Sequence, residues 1–136
     1  MRIFLDANIL FSAAKSAGAV RQLLALLADA GHTLWADGFV AEEARRNIHA
    51  KFPAAVHDLE TLLSAIHLAP AQPSAALPDI ASQLPEKDRP VLGAAIRLKC
   101  DALVTGDNTH FGHWYGKRIA GVQIHSPASL AQALLR

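Results

Sequence analysis

Four acidic residues stand where a divalent metal site could be built. Asp6 and Asp107 each end a short apolar run of the kind that forms a buried strand, and Glu43 and Asp88 lie near the starts of predicted helices. Clustered carboxylates repel one another unless a cation holds them together, and their hard oxygen ligands suit Mg²⁺ or Mn²⁺. Phosphate chemistry is therefore the first hypothesis for this chain.

Two polar neighbours support this hypothesis. Asn8, two residues after Asp6, supplies a second oxygen ligand or an orienting amide, unless it only caps the helix that follows. Thr105, two residues before Asp107, can offer its hydroxyl to a metal-bound water or to a nearby carboxylate. Gly106 lets the backbone turn sharply after the strand. The alternative for both acids is structural, because Asp is common in helix caps and turns.

Glu42 and Glu43 are adjacent on a predicted helix, so their side chains point about 100° apart. Glu43 flanks the apolar face more closely than Glu42 does, and we therefore prefer it as the site residue. The alternative is a solvated acid near a helix start, where the helix dipole favours negative charge. The apolar face itself is set by Val40, Ala41, Ala44 and Ile48.

Asp88 also has two interpretations. It stands two residues before Pro90, which is a good position for a helix N-cap. However, Asp88, Val91 and Ala95 follow the spacing i, i+3, i+7, which aligns the carboxylate with the buried face of the helix. This alignment predicts a carboxylate at the rim of the core, with Glu86 as the substitute candidate.

The elements that position these residues alternate along the chain. We predict strands at 2–6, 33–36, 67–69, 102–105 and 122–124. Helices are predicted around Val20 to Leu27, near 38–50, 54–66 and 88–100, and after Ser126-Pro127. Such alternation predicts a three-layer α/β/α fold with a central parallel sheet. The carboxyl ends of parallel strands form the usual site in such folds, and this is where Asp6 and Asp107 fall.

Five of the seven prolines lie between residues 70 and 90. This segment predicts broken structure with at most a short helix around 76–83. Neither flank could fold alone, so we interpret the segment as a connector inside one domain that spans 1–136.

Composition limits the classes of protein that fit. Hydrophobic residues make up 51% of the 136, and 13 basic residues against 12 acidic ones give a net charge of +1. This balance excludes a strongly basic, non-specific polyanion binder but allows a local basic patch. The single cysteine, Cys100, excludes an intrachain disulfide and suits a reducing cytoplasm. We expect no membrane segment, because the richest apolar stretch, Leu23 to Ala28, is too short to span a bilayer.

In order and spacing, these pieces resemble the PIN-domain family, especially the VapC-like bacterial toxin ribonucleases. The matching segments are residues 4–8, 43–48, 88–95 and 103–107, with Phe111 after them. The resemblance implies an α/β fold with a parallel sheet, and cleavage of single-stranded or structured RNA that depends on one or two Mg²⁺ or Mn²⁺ ions. It implies metal binding and catalysis by Asp6, Glu43, Asp88 and Asp107, with Asn8 and Thr105 in support.

The resemblance also implies partners. We expect an RNA substrate, a cognate antitoxin and a homodimer, the last also because the apolar content is high for a short chain. Trp114 and Tyr115 could stack RNA bases or could pack their loop against the protein. The basic residues that could hold the RNA backbone are Lys15, Arg45, Arg46, Arg89, Lys117 and Arg118.

Other functions fit the sequence less well. His110 and His113 invite a zinc interpretation, but no cysteine or acid stands at structural-zinc spacing. A phosphatase that uses Asp6 as its nucleophile needs an acid at position 8, where this chain has Asn8. The chain has no glycine-rich nucleotide-binding loop. Two alternatives stay open: an RNA-processing PIN nuclease that is not a toxin, and a PIN-like binding module that has lost turnover.

Overall fold

A six-stranded sheet organises the protein, whose computed structural model describes residues 1–72 and 86–135. The order across the sheet is β3-β2-β1-β4-β6-β5, with β1 and β4 as the central pair. The strands are β1 (Arg2–Leu5), β2 (Thr33–Asp37), β3 (His67–Ala69), β4 (Ala102–Val104), β5 (Arg118–Ile119) and β6 (Val122–His125).

Helices connect the strands. Short 3-10 turns at Pro53–Ala55, Glu86–Asp88 and Gly112–Trp114 lead into or out of them. The helices are α1 (Ala7–Lys15), α2 (Ala19–Asp29), α3 (Gly38–Lys51), α4 (Val56–Ser64), α5 (Arg89–Arg97), α6 (Asn108–Phe111) and α7 (Pro127–Leu134).

The predicted α/β fold is confirmed, with one correction to the sheet. β1, β2, β3, β4 and β6 pair in parallel, whereas β5 runs antiparallel to β6 at the edge, so the sheet is mixed. The two residues between β5 and β6, Ala120 and Gly121, have φ values of 49° and 87°. Positive φ at both positions is what a tight two-residue hairpin requires. A two-residue strand is too short to produce a hydrophobic period, so the sequence analysis did not include it.

The helical boundaries also differ from the sequence-based expectation. The segment after β1 forms two helices, α1 and α2, which meet at 107°, where one helix around Val20 to Leu27 was expected. α5 ends at Arg97 rather than near residue 100, because Lys99 takes a left-handed conformation with φ of 54°. The short helix expected around 76–83 falls outside the described residues.

The core lies on both sides of the central strands. Ile3, Phe4 and Leu5 of β1 are fully buried, as is Leu103 of β4. Cys100 is buried, as a small apolar residue would be.

In the described part of the chain, no single helix is long and apolar enough to cross a membrane, although the bent pair α1 and α2 passes on length and composition alone.

Candidate metal centre

The carboxyl ends of β1 and β4 lie side by side, and Asp6 directly follows β1. The Asp6 backbone N–H donates to the Val104 carbonyl at 3.1 Å, which continues the ladder for one more residue. The Asp6 side chain is the N-cap of α1, since its Oδ1 accepts from the Ala7 N–H at 2.7 Å. Its Oδ2 accepts from the Thr105 hydroxyl at 2.8 Å. Both carboxylate oxygens of Asp6 therefore accept hydrogen bonds from the protein, and only 5% of the residue is exposed.

Asn8 and Thr105 tie α1 to the loop after β4. The Asn8 Oδ1 accepts from the Gly106 N–H at 2.9 Å, and its Nδ2 donates to the Thr105 hydroxyl at 3.4 Å. The same hydroxyl accepts from the Asp107 N–H at 3.0 Å. Asp6, and not Asn8, caps α1. Asn8 therefore has the geometry of the orienting amide that the sequence analysis considered.

Asp107 lies three residues beyond β4 rather than at its last position. Thr105 and Gly106 lie between β4 and Asp107. The Thr105 N–H still donates to the His125 carbonyl at 3.0 Å, so contact with the sheet continues for one residue beyond β4. Asp107 then caps the four-residue α6, where its Oδ1 accepts from the His110 N–H at 3.1 Å. The cap leaves the second carboxylate oxygen directed at the His110 ring.

His110 lies between Asp88 and Asp107, two acids from different elements. Its Nδ1 lies 2.6 Å from Asp88 Oδ2 and 2.8 Å from Asp107 Oδ2. Ligand atoms of the three residues lie within 4.8 Å of one another. Asp88 occupies the N-cap position of α5, yet its side chain makes no capping hydrogen bond. The Asp88 carboxylate therefore lies beside His110 rather than in a cap, and its role at the site stays a prediction.

Glu43 approaches the same edge from α3. Together with Asn8 it borders a cavity of about 160 Å³, whereas Glu42 points into solvent. The helix has the predicted rotation, since the side chains buried beneath it are those of Val40, Ala41, Ala44 and Ile48.

The electrostatics show that the acids share one environment. Burial raises the pKa of Asp6 from 3.8 to about 6, against the hydrogen bonds from Thr105 and Ala7, which lower it. The charges of Glu43 and Asp88 raise it further. Burial likewise raises the pKa of Tyr115, and the nearby charges of Asp107 and Asp6 add to that shift. The four predicted acids therefore lie at one edge of the sheet, where their negative potential favours a cation.

The donor set fits a divalent ion. Among the described residues, His110 Nδ1 makes no hydrogen bond of acceptable geometry, although two carboxylate oxygens lie closer than 3 Å to it. This ring nitrogen and these carboxylate oxygens, which lie within 4.8 Å of one another, are atoms that can serve as ligands of a divalent ion. His113 does not take part, because it is exposed on the 3-10 turn that follows.

His110 is the site residue that the sequence analysis missed. It was weighed as a partner of His113 for zinc, whereas its neighbours in the structure are acids. A signal was present, since Asp107 and His110 are three residues apart at a helix start and so share one side of it. Its contact with Asp88, 22 residues earlier in the chain, has no counterpart in the local sequence pattern.

Asp37 is a fifth acid at this edge of the sheet. It ends β2 and is 3% exposed. Its carboxylate accepts from the Val40 N–H at 3.2 Å, and its other oxygen lies 3.7 Å from the Arg97 guanidinium. Burial raises the pKa of Asp37, while these partners lower it. One oxygen is bonded to the start of α3 and the other faces Arg97 at the end of α5, so we assign Asp37 a structural role.

The predicted RNA-binding residues are spread over several elements, and their role stays a prediction. Arg45 makes a two-pronged ion pair with Glu60, at 2.9 and 3.0 Å, which competes with a phosphate contact. Arg118 donates to the Gly121 carbonyl and to Gln123 within the β5–β6 hairpin. The others are Lys15 at the end of α1, Arg46 on α3, Arg89 at the start of α5, and Lys117 before β5.

The two aromatic residues near the site pack the loop. Trp114 is only 5% exposed, and the Tyr115 hydroxyl donates to the Thr105 carbonyl at 2.9 Å. Of the two roles considered from the sequence, packing is the one observed. Tyr115 also braces Thr105, whose hydroxyl contacts Asp6.

A mostly parallel sheet flanked by helices, with acids gathered at the carboxyl ends of its central strands, defines the class of protein. The family model described as a PIN domain matches residues 2–109. Because this match covers most of the 136 residues, the chain belongs to the PIN domain family.

Three of the solved structures that share this fold contain VapC or VapBC proteins. VapBC2 from Rickettsia felis, bound to a DNA fragment from its promoter, matches with a TM-score of 0.69 and 19% identity over 93% of this chain and 98% of that one. VapBC-1 from nontypeable Haemophilus influenzae matches with a TM-score of 0.61 and 14% identity, over 94% of this chain and 99% of that one. VapC20 from Mycobacterium tuberculosis is a toxin that cleaves the sarcin-ricin loop. It matches with a TM-score of 0.54 and 13% identity, over 82% of this chain and 94% of that one. No curated protein sequence matches this chain.

Proposed function

We propose that this protein is an endoribonuclease that depends on Mg²⁺ or Mn²⁺ and acts as the toxin of a toxin–antitoxin pair. The observation that carries the proposal is the convergence of Asp6, Glu43, Asp88 and Asp107 at one edge of a PIN domain. Four acids gathered at one edge of the sheet make a site for a cation, because their mutual repulsion is relieved when an ion binds.

Each residue has a role that follows from its contacts. Asp88, Asp107 and His110 would hold one ion, and Asp6 with Glu43 would complete the shell or hold a second ion. A divalent ion supplies Lewis acidity and an activated water when it is bound. Thr105 holds the Asp6 carboxylate through its hydroxyl, and Asn8 fixes the loop that carries Asp107. The acids act as ligands in this mechanism and not as nucleophiles.

The biological role rests on the relatives. Two of the similar solved structures are VapBC complexes, and the third is a toxin that cleaves the sarcin-ricin loop. By analogy we propose a structured or single-stranded RNA as substrate, a cognate antitoxin as partner, and the cytoplasm as the place of action. We treat residues 1–136 as one nuclease domain.

Cleavage of RNA by the purified protein tests the enzymatic part. Activity should require Mg²⁺ or Mn²⁺ and should vanish with EDTA. Asp6→Asn and Asp107→Asn should each abolish turnover, because each removes a ligand charge and almost no volume. Asp29→Asn, an exposed acid on α2, is the matched control and should cleave normally. Unchanged cleavage by a chromatographically clean Asp6→Asn preparation would refute the assigned roles.

A second experiment separates a toxin from the two alternatives. Induced expression of a toxin should arrest growth, and co-expression of the neighbouring reading frame should restore it. An RNA-processing nuclease would cleave RNA in vitro without arresting growth. A binding module that has lost turnover would bind RNA and leave it intact under every metal condition.

A further inference from the structure

A strip of aromatic and basic side chains leads away from the candidate metal centre along α1. Asn8, Phe11 and Lys15 follow the spacing i, i+3, i+7, so they lie on one side of this helix. The strip begins at Asn8, which is bonded to the loop of Asp107, and ends at Lys15 in the last turn. Its polar end is therefore in the site, and its basic end is remote from it.

A second strip on α3 faces the first. Glu43, Asn47 and Lys51 are spaced i, i+4, i+8 and again run from an acid at the site to a lysine at the end of the helix. Eight residues of helix span about 12 Å, which is on the order of three nucleotides at a stacked spacing of about 3.4 Å.

Two neighbouring cavities join the strips into one groove. The first, of about 160 Å³, is bordered by Asn8, Phe11, Glu43, Asn47 and Lys51. The second, of about 360 Å³, is bordered by Lys15, Lys51, Phe52, Pro53, Ala54, Ala55 and Asp58. Lys51 borders both, so the groove continues from the acids to Phe52.

Aromatic rings and ammonium groups meet at the far end of this groove. The rings of Phe11 and Phe52 pack edge to face with centroids 5.7 Å apart. The Lys15 Nζ lies 5.6 Å from the Phe11 centroid and 5.8 Å from that of Phe52, and the Lys51 Nζ lies 5.8 Å from that of Phe11. Within the described residues, neither lysine forms an ion pair. Both ammonium groups therefore keep N–H donors for a ligand.

Phe52 keeps 45% of its surface exposed, beside those two cations. An exposed ring next to positive charge is the combination that binds single-stranded nucleic acid, because bases stack on the ring while phosphates meet the cations. The only carboxylate bordering this end of the groove in the described structure is that of Asp58, and it lies 3.5 Å from the Arg21 guanidinium. The local charge therefore favours a polyanion.

We propose that this groove binds a single-stranded segment of the RNA substrate, with Phe52 as the stacking surface and Lys15 and Lys51 as phosphate contacts. The inference rests on the proposed function, and it adds a path for the bound RNA: the segment runs along the groove between the metal centre and the end of α3. Base-paired RNA would not occupy the groove in this way, because its bases are not available for stacking on a side chain.

Equilibrium binding measured by fluorescence anisotropy tests the stacking surface. The probe is a labelled single-stranded RNA of about a dozen nucleotides, within the usual range of site sizes, in EDTA, with RNA integrity checked on a gel. Phe52→Ala should weaken binding about fivefold or more, and Phe52→Tyr should bind like the wild type because it retains a ring. Leu68→Ala, where the side chain has a similar exposure of 43%, is the control and should bind normally. An RNA hairpin with a short loop should not respond to Phe52→Ala.

The salt dependence of the same binding tests the lysines. Each phosphate contact to a single strand contributes about 0.7 to the slope of log Kd against log salt concentration. Lys15→Gln with Lys51→Gln should therefore lower that slope by about 1.4, whereas Phe52→Ala should leave it unchanged. Lys99→Gln, an exposed lysine before β4 and so at the opposite edge of the sheet, is the control.

The outcomes separate this inference from the proposed function. Wild-type affinity in folded Phe52→Ala protein overturns the inference even if the enzyme cleaves RNA. If RNA binding depends on Phe52 but the protein shows no metal-dependent cleavage, the groove proposal is upheld and the proposed nuclease function is refuted. If Phe52→Ala changes the mass measured by light scattering, the surface is a protein interface and the inference falls. A melting temperature close to that of the wild type establishes that each variant is folded.

Discussion

Asp6 carries the largest electrostatic cost at the site. Its pKa of about 6 lies above the ordinary value of 3.8, so the folded protein binds more protons than the unfolded chain between these two values. In EDTA, the free energy of unfolding should therefore fall as the pH rises through this window and remain lower above it. The shift corresponds to a cost on the order of 3 kcal/mol at neutral pH.

Asp6→Asn should remove this cost while keeping the size of the side chain. Urea unfolding between pH 4 and 8 in EDTA should show the variant more stable than the wild type at pH 7, with the difference disappearing near pH 4. Asp29→Asn, an exposed acid, should follow the wild-type curve. Parallel curves for Asp6→Asn and the wild type would show that burial does not penalise the charge.

His110 should bias the site toward transition metals. Imidazole nitrogen binds Mn²⁺ more readily than Mg²⁺, which prefers oxygen ligands. His110→Ala should therefore weaken Mn²⁺ binding, measured by isothermal titration calorimetry, by a larger factor than Mg²⁺ binding. His110→Asp should shift the preference toward Mg²⁺.

His113→Ala is the matched control, because this exposed histidine lies three residues away and outside the cluster. It should leave both affinities unchanged. Equal losses for the two metals in His110→Ala would mean that His110 only positions Asp88 and Asp107.

The neighbours Glu42 and Glu43 should respond in opposite ways. Glu43 adds to the charge felt by Asp6 and borders the groove, while Glu42 is exposed. Glu43→Gln should weaken metal binding and stop cleavage, whereas Glu42→Gln should be close to silent, as surface changes usually are. Cleavage assays and calorimetry on both variants measure this. Loss of activity in Glu42→Gln alone would mean that Glu42, on the other side of α3, is the residue that binds the metal.

At the scale of elements, Arg21 stabilises the end of α1. Its Nε donates to the Ala13 carbonyl at 2.6 Å and its Nη2 to the Ala14 carbonyl at 2.8 Å. These carbonyls lie in the last turn, where the helix dipole favours a cation. The more distant Asp58 contact, at 3.5 Å between exposed groups, contributes little. Because α1 carries both Asn8 and Lys15, Arg21 supports the helix on which one side of the groove is built.

Arg21→Met should lower the free energy of unfolding by about 1–2 kcal/mol, since it removes both donors and keeps the apolar stem. The estimate is reduced from that of a fully buried pair because 38% of the Arg21 side chain is exposed. Gln22→Met on the same helix is exposed and should cost almost nothing. Urea unfolding with an unchanged m-value is the measurement, and equal stability of the two variants would contradict this role.

At the scale of the whole molecule, we expect a homodimer. Leu26 of α2 is 54% exposed, and beside α2 an apolar cavity of about 300 Å³ opens toward α4, bordered by Leu24, Ala25, Ala28 and Leu62 among others. Apolar surface of this kind is often covered by another chain. Light scattering should give twice the monomer mass of 14.5 kDa at micromolar concentrations. A monomer mass across that range would contradict the prediction.

Most of the longer elements, and the side that each turns toward the core, could be predicted from the sequence. A buried strand and an amphipathic helix each have a period that local residues report, so β1, β4 and the rotation of α3 were predictable. The preference for Glu43 over Glu42 follows from that rotation. The placement of Asp6 and the Thr105–Asp107 loop at one edge follows from parallel pairing, because the carboxyl ends of parallel strands share an edge.

Contacts between side chains of different elements could not be predicted from the sequence. The contact of His110 with Asp88, the burial of Trp114, and the meeting of Phe52 with Phe11 and Lys15 all join different elements. A hydrophobic period records only which side of one element faces the core. The period gives no information on the distance between two elements, because that distance is set by packing of the whole core. These contacts could therefore be found only in the folded structure.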